Sequence, residues 1–297
     1  MKLFNLEFYK KALYFRGRRR VLTEADYLME LDLEPDMGSV PSLFFAVDDL
    51  YLSELFAGSN SCITKNLDLL SVIKHRFNDI NLHGFYIPRP DNWMNHSSFD
   101  RISRSHDSIK DIENFFTTLS LHGLTHRSVN YPTYRGAWEF CDLSISESKE
   151  RIERAEKLWP FAKDPYSFKF PAWALPSLNM DATAIITMLK EVNFDRAFLS
   201  SRTNGLNYYS WKSSHCHISQ TNDFYIYPQN LSINDSLSFS KKVVDKIIEK
   251  GGCISMQLHF SRNTNLFSDG LSIETVDKTS ALLEYIFEKM HGNLEII

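Results

Sequence analysis

The 297-residue sequence predicts an α/β fold built on a largely parallel sheet. Two observations indicate this. Apolar or alternating runs of strand length occur at residues 42–50, 82–88, 117–126 and 253–260. Helical patterns follow in the second half of the chain, at residues 144–159, 181–194 and 241–250. Strands that alternate with helices are typical of βα units, whose strands pair in parallel.

The three helical segments have terminal signals of their own. The first opens with the spacing of a capping box, from Ser144 to Glu147. The second follows Asp181, a residue type favoured at helix N-caps. The third stops at Gly251 and Gly252, a common signal for the end of a helix.

The strand-like runs end in residues that can do chemistry. Residues 42–50 form a continuous apolar run, typical of a strand buried on both faces, and the run stops at Asp48 and Asp49. Residues 253–260 alternate, with a polar face that ends in His259. The polar residues therefore lie where strands meet their following loops, which in an α/β barrel is the carboxyl-terminal mouth that houses active sites.

Composition narrows the class of protein. Hydrophobic residues make up 43% and charged residues 24%, as in ordinary globular domains. A formal net charge of −4 argues against a dedicated nucleic-acid binder. The four cysteines are far apart and form no CxxC pair, so we expect free thiols. Without internal repeats or linkers, we expect one catalytic barrel domain over 1–297, with 1–40 as a basic and aromatic extension and about 88–112 inserted at the barrel mouth.

Residues 1–20 carry seven basic side chains against one acidic one, interleaved with aromatic residues. Such a segment is either a first helix packed on the domain or an amphipathic element resting on an anionic membrane surface. No apolar run approaches the roughly 20 residues that span a bilayer, and no signal peptide is evident. We therefore expect a cytoplasmic protein, with peripheral membrane contact through residues 1–20 as an open alternative.

His122 and His126 are spaced as H-x-x-x-H. On a helical turn, positions i and i+4 share one face, so two imidazoles can hold one cation. With a carboxylate they form a three-ligand set with an open position, the pattern of a catalytic zinc site. Two structural histidines are the alternative interpretation. Further candidate ligands are His83, His96 and His106 and the segment His215-Cys216-His217.

Four segments, taken in order, resemble the motifs of the NodB-like polysaccharide deacetylases, a family similar to carbohydrate esterase family 4. They read FAVDDL, HGLTH, FKFPAW and QLHF, and together they span about residues 43–260. The resemblance is to a divergent branch, since Gly123 replaces the family's Ser or Thr in the second motif. It implies a distorted (β/α) barrel of about seven strands.

The resemblance also implies residue roles. Asp48 would be the general base, and Asp49, His122 and His126 would bind a divalent metal, with Zn²⁺ first and Mn²⁺ or Co²⁺ as alternatives. His259 would be the general acid. An acidic neighbour is expected to keep its ring protonated.

The third motif departs from the family pattern. Lys169 stands where the family has an arginine that orients the base, so the charge is kept and the bidentate fork is lost. Pro171 and Trp173 of the same motif are expected to contact substrate.

The function implied is a metal-dependent hydrolase that removes an N-acetyl or other acyl group from a sugar of a surface polysaccharide or its precursor. The carbohydrate substrate could be free, nucleotide-linked or lipid-linked. Two alternatives stay open: an inactive deacetylase-like barrel that binds a glycan or a protein partner, and a hydrolase whose amide substrate is not a sugar. The sequence makes no prediction of oligomeric state.

Overall fold

A computed structural model describes most of the chain. The described residues are 20–50, 61–88, 106–125, 139–140, 143–171, 182–200, 203–204, 214–221, 223–232, 235–260, 271–290 and 292–297. The predicted features outside these ranges are residues 1–19, residues 89–105 of the insertion with His96, and the single residues His126, Cys141, Trp173 and Asp181.

Helices and strands alternate along the described residues. The helices are α1 (Glu24–Leu33), α2 (Ser61–Arg76), α3 (His106–Phe115), α4 (Ile145–Lys157), α5 (Ala182–Glu191), α6 (Leu237–Glu249) and α7 (Ile273–Met290). The strands are β1 (Arg20–Val21), β2 (Ser42–Leu50), β3 (Leu82–Tyr86), β4 (Thr118–Leu121), β5 (Phe168–Lys169), β6 (Arg196–Ser200), β7 (Thr203–Asn204), β8 (Ser219–Thr221), β9 (Phe224–Gln229), β10 (Leu231–Ser232), β11 (Cys253–His259) and β12 (Glu295–Ile296).

The main sheet confirms the predicted α/β class. Among the described residues it has ten strands, in the order β10-β11-β2-β3-β4-β5-β6-β9-β8, with β12 paired to β2. Every pairing in it is parallel except that of β8 with β9. The short strands β1 and β7 form a separate antiparallel pair.

The expected barrel of about seven strands is not confirmed. Among the described residues the sheet has ten strands, and no continuous ladder closes it. The sheet is nevertheless strongly curved. Strand β9 pairs with β6 near one end of the strand order, and β10 pairs with β11 at the other end. Because only Asn230 separates β9 from β10 along the chain, the two ends of the sheet must lie close together. The Asn230 side chain donates to the Cys253 carbonyl and accepts from the Ser255 amide, so it bridges the two ends where the ladder breaks.

The two faces of the sheet bury different side chains. On β2, the outward-facing side chains Leu43, Phe45 and Val47 join the large core beneath the helices. The alternate side chains join an inner cluster that consists of Phe44, Ala46, Phe85, Phe198, Tyr227 and Cys253. Because both faces are buried, β2 is apolar throughout until it reaches its two aspartates.

The helix termini follow local sequence signals. At α4 the predicted capping box forms, with reciprocal hydrogen bonds between Ser144 and Glu147. Helix α6 begins at Leu237, four residues before the predicted start at 241, because Ser236 accepts a hydrogen bond from the Phe239 amide and caps it. None of the described helices is long and apolar enough to cross a membrane.

Parts of the predicted extension and insertion belong to the core. Within residues 1–40, α1 buries Tyr27 and Leu31 completely in the large core. Within about 88–112, the residues from His106 onward form α3, whose Ile112 is also fully buried. Both helices therefore contribute to the core of the domain.

His83 is a core residue rather than a metal ligand. Its ring stacks on Phe44 at 3.9 Å between centroids, Nε2 lies 2.6 Å from the Ile297 carbonyl, and Nδ1 lies 2.6 Å from the Thr118 hydroxyl. The carbonyl can only accept, so Nε2 carries the proton and the neutral ring is satisfied. Burial lowers the pKa of His83 to about 4, against the opposing effect of the Ile297 hydrogen bond.

We expect stability to fall as the pH drops from 6.5 towards about 4, because in this range the unfolded state binds a proton at His83 that the folded state excludes. The contribution is about 1.4 kcal/mol per pH unit. In His83→Gln this part of the pH dependence should disappear, as measured by urea unfolding at several pH values. His75→Gln, at an exposed position of α2, is the control and should keep the wild-type slope. A wild-type slope in His83→Gln would contradict the assignment.

Candidate active site

The carboxyl ends of four parallel strands bring together the predicted site residues that the structure describes. Asp48 and Asp49 end β2, His122 follows β4, Lys169 ends β5 and His259 ends β11. The segments that contain them are far apart in sequence but meet at one edge of the curved sheet. His126 and Trp173 lie outside the described residues, so their predicted roles remain predictions.

Asp48 and Lys169 form a buried ion pair at the centre of the site. Each is about 1% exposed. Lys169 Nζ donates to Asp48 Oδ1 at 2.7 Å and to Oδ2 at 2.6 Å, and it donates to Gln229 Oε1 at 3.2 Å. An ammonium group has three N–H donors, and these three acceptors match them in number.

The surroundings of Lys169 explain how the charge is tolerated. Burial lowers the pKa of Lys169, and the attraction of Asp48 opposes that shift. The Nζ atom also lies 4.8 Å from the centroid of the Phe85 ring, within the range of a cation–π interaction. Although lysine lacks the fork of an arginine, the single Nζ reaches both oxygens of Asp48 and can hold that carboxylate in one orientation.

A local irregularity in β2 turns both aspartates towards His122. Adjacent residues of a regular strand point to opposite faces. Here the pairing of β2 with β3 shifts register between Val47 and Leu50, and Asp49 has a φ of 60°. As a result, His122 Nε2 lies 4.0 Å from Asp48 Oδ2 and 3.7 Å from Asp49 Oδ1. Aspartate tolerates this left-handed backbone better than most residues do.

Asp49 and His122 fit two positions of a metal-ligand set. His122 Nδ1 lies 3.0 Å from the Lys169 carbonyl, which can only accept, so Nδ1 carries the proton and Nε2 presents its lone pair to the aspartates. Two ligand atoms of a tetrahedral site with bonds of 2.0–2.2 Å are about 3.3–3.6 Å apart. The observed 3.7 Å between His122 Nε2 and Asp49 Oδ1 is close to that separation.

Gln257 lies between the predicted base and the predicted acid. Its Nε2 donates to Asp48 Oδ2 at 2.6 Å and lies 3.1 Å from His259 Nε2. Since an ionised carboxylate only accepts, the amide nitrogen must face it, and the second N–H then points to the ring. Among the described residues, this amide takes the place of the acidic neighbour expected for His259.

The turn after His122 is held by a buried ion pair that the sequence did not reveal. Glu139 is fully buried, accepts hydrogen bonds from the backbone amides of Leu124 and Thr125, and forms an ion pair with Arg151 of α4. Arg151 also donates to the Thr125 hydroxyl at 2.5 Å. The turn itself requires Gly123, because φ is +71° there and a Cβ would collide with the Glu139 carboxylate.

Pro171 packs beneath the same turn. The residue is buried, and its ring atoms lie where a side chain at position 123 would project. Pro171 therefore makes a packing contact with the turn. Its contact with substrate remains a prediction. Gln257 could have been suspected from the polar face of β11. Glu139 follows no periodic pattern that would have indicated its role.

We predict that Lys169→Met destabilises the protein by about 3–5 kcal/mol, because it leaves the buried Asp48 carboxylate without its cation. The double variant Asp48→Asn/Lys169→Met should recover most of that loss, since neither charge remains. Urea unfolding of the two single variants and the double variant measures the coupling. If the double variant is as unstable as the less stable single variant, charge pairing is not the source of the stability.

We predict that Glu139→Gln costs about 3 kcal/mol, at the lower end of the range for breaking a buried ion pair, because an amide oxygen remains as an acceptor. The matched control is Glu150→Gln, an exposed position on α4, which should change the free energy of unfolding by less than about 0.5 kcal/mol. Equal effects of the two substitutions in urea unfolding would show that the ion pair does not hold the turn.

No family model matches the chain, and no curated protein matches it. Solved structures of similar arrangement include a GH57-type branching enzyme from the hyperthermophilic archaeon Pyrococcus horikoshii (TM-score 0.48, 10% identity, 86% of this chain and 69% of that one). A 4-alpha-glucanotransferase from Thermococcus litoralis has a TM-score of 0.44 and 8% identity over 87% of this chain and 39% of its own. A protein provisionally assigned as a glycoside hydrolase/deacetylase, from Parabacteroides distasonis, has a TM-score of 0.45 and 8% identity over 89% of this chain and 70% of its own. These similarities assign no family to the chain.

Proposed function

We propose that this protein is a metal-dependent hydrolase that removes an N-acetyl or other acyl group from a sugar. One observation carries the proposal: four strand ends place the Asp48–Lys169 ion pair, Asp49, His122 and His259 at a single edge of the sheet. A buried carboxylate beside a metal-ligand pair and a second imidazole is an arrangement suited to hydrolysis.

The proposed metal ligands are Asp49, His122 and His126. The first two fit, through their separation and the tautomer of His122, and His126 is proposed from the H-x-x-x-H spacing and the motif resemblance. A divalent cation with an open position, Zn²⁺ or else Mn²⁺ or Co²⁺, polarises an acyl carbonyl and lowers the pKa of a water molecule when bound.

Asp48 is the proposed general base. Its Oδ2 faces His122 and is therefore the oxygen nearest the place where a water would be held. Lys169 and Gln257 both contact this carboxylate and keep it from rotating away, which makes Lys169 a positioning residue for the base. Such positioned proton transfer typically contributes 10²–10⁴-fold to a rate.

His259 is the proposed general acid, and it would protonate the departing amine. Hydrolysis of the amide consumes one water and releases a carboxylate, acetate in the simplest case, and a free amine. The proton that Asp48 takes from water and the proton that His259 gives to nitrogen balance over the cycle. Ring atom Nδ1 of His259 is buried and has no hydrogen-bond partner among the described residues.

The sugar substrate is proposed from the motif resemblance rather than from the geometry. Pro171 and Trp173 of the third motif are proposed to contact it. The proposed substrate is a cytoplasmic precursor of a surface polysaccharide, free, nucleotide-linked or lipid-linked. Peripheral membrane contact through the basic residues 1–20 is proposed from their sequence alone.

We expect His122→Ala to lose bound metal and acetate release together, because it removes a ligand. Asp48→Asn removes the anion that pairs with Lys169 and should lower the free energy of unfolding, but the folded variant should keep the metal and lose activity by about 10²–10⁴-fold, because an amide cannot take a proton. Circular dichroism checks that the variant is folded in the assay. Metal content is measured by mass spectrometry after dialysis, and acetate release is measured on N-acetylated sugars and on N-acetylated amines that are not sugars.

His75→Ala, on the exposed face of α2, is the matched control and should leave both quantities unchanged. Wild-type protein that releases no acetate from any compound would favour a binding barrel over an enzyme. Release from the amines alone would overturn the sugar substrate. Wild-type activity in both His122→Ala and Asp48→Asn would refute the assignment of the site.

A further inference from the structure

We propose a second cation site, formed by Glu34, Cys216 and His217 at the opposite end of the sheet. One ligand atom from each of these residues lies within 4.8 Å of the other two. They come from the end of α1 and from the segment before β8, two parts of the chain that are about 180 residues apart. The site is independent of the proposed hydrolase function.

The ligand types suit a divalent transition metal. A thiolate and an imidazole favour Zn²⁺ over Ca²⁺ or Mg²⁺, and a carboxylate is an accepted third ligand. A deprotonated Cys216 and an ionised Glu34 together carry two negative charges, which one divalent cation would neutralise. A fourth position would remain for water.

The carboxylate of Glu34 is already oriented by the segment that supplies the other two ligands. Its Oε2 accepts from the Ser214 hydroxyl and its Oε1 accepts from the His215 amide, both at 2.6 Å. Each carboxylate oxygen has two lone pairs, so both oxygens can still bind a cation. The Ser214 hydroxyl in turn accepts from the backbone amides of Cys216 and His217, which fixes the turn.

The ring of His217 is held in the tautomer that a metal ligand needs. Its Nε2 lies 2.9 Å from the Pro35 carbonyl. Because a carbonyl only accepts, Nε2 must carry the proton, and Nδ1 keeps a lone pair that can bind a cation. A ring N–H donated to a backbone carbonyl is the usual support of a metal-bound histidine.

Cys216 has a matched counterpart that lacks such neighbours. The structure has free, buried thiols at Cys216 and Cys253, and burial raises the pKa of each to about 12. Neither is a reactive thiol at neutral pH. Of these two thiols, Cys216 alone has a carboxylate and an imidazole from the described residues close enough to complete a ligand set. Cys253 therefore serves as a control for thiol burial alone.

The position of the site indicates what bound metal would do. The Cys216 carbonyl accepts from the Cys253 amide at 2.6 Å, at the first residue of β11. His259 is at the other end of that strand, about 20 Å away at roughly 3.3 Å per residue. A cation here would tie the end of α1 to the start of β11, and its effect would be on stability rather than on chemistry.

The test uses Co²⁺ added to the full-length protein after chelation. A cobalt–thiolate bond gives a charge-transfer absorption that oxygen and nitrogen ligands do not give, and the proposed catalytic ligands include no thiolate. We expect Co²⁺, titrated to two equivalents so that both proposed sites can fill, to produce this band in wild-type protein. The band should persist in His122→Ala and Cys253→Ala and be absent in Cys216→Ala.

His217→Gln guards against misfolding of the cysteine variant, because glutamine can still donate to Pro35 while the ligand nitrogen is lost. We expect the Co²⁺ affinity measured from the thiolate band to fall at least tenfold in this variant. Zn²⁺ should raise the melting temperature of His122→Ala but not of His122→Ala/His217→Gln, a comparison from which the proposed catalytic metal site is removed. The absence of a thiolate band in wild-type protein, or its persistence in Cys216→Ala, would overturn the second site.

Discussion

The ion pair between Asp48 and Lys169 is the constraint on which the rest of the site depends. A buried charge is tolerated only where its partners are complete. Lys169 meets this condition with three acceptors, two from Asp48 and one from Gln229, while Gln257 donates to Asp48 from the other side. These residues belong to β2, β5, β9 and β11. A shift in any of the four strands would therefore leave a charge unsatisfied in the interior.

The inner face of the sheet is layered in a way that supports this pair. Below it lie aromatic rings in mutual contact, with Phe198 stacked on Tyr227 at 4.8 Å and in edge contact with Phe85 at 5.1 Å. Such a packed layer leaves no room for water below the ion pair, so water can reach Asp48 and Lys169 only from the strand ends. Side chains alternate along a strand, so Phe44, Ala46 and Asp48 share one face of β2. Phe44 and Ala46 belong to the aromatic layer, and Asp48 lies directly above it.

Short-range patterns account for the parts that the sequence predicted well. Strand β2 could be predicted because burial on both faces produces a continuous apolar run. In β11 the alternation of residue types correctly separated the polar face, which includes Gln257 and His259, from the apolar face. The link between β9 and β10 could not be read this way, because Asn230 interrupts the ladder through side-chain bonds to a strand more than 20 residues away. Helix α6 begins before its predicted start at 241 because its first turn depends on the cap at Ser236.

The role of Glu139 shows where a pattern-based prediction of a site stops. Its position is defined by Arg151 and by two amides of the turn after His122, and these contacts exist only once α4 has packed against β4.

The role of Gln257 likewise depends on tertiary contacts, because its residue type alone does not indicate a function. Its amide faces Asp48 and therefore presents an N–H to His259 Nε2, so that nitrogen accepts and the ring proton lies on Nδ1. The Gln257 amide thus links the side chains proposed as base and acid, at the place where the sequence predicted an acidic neighbour of His259.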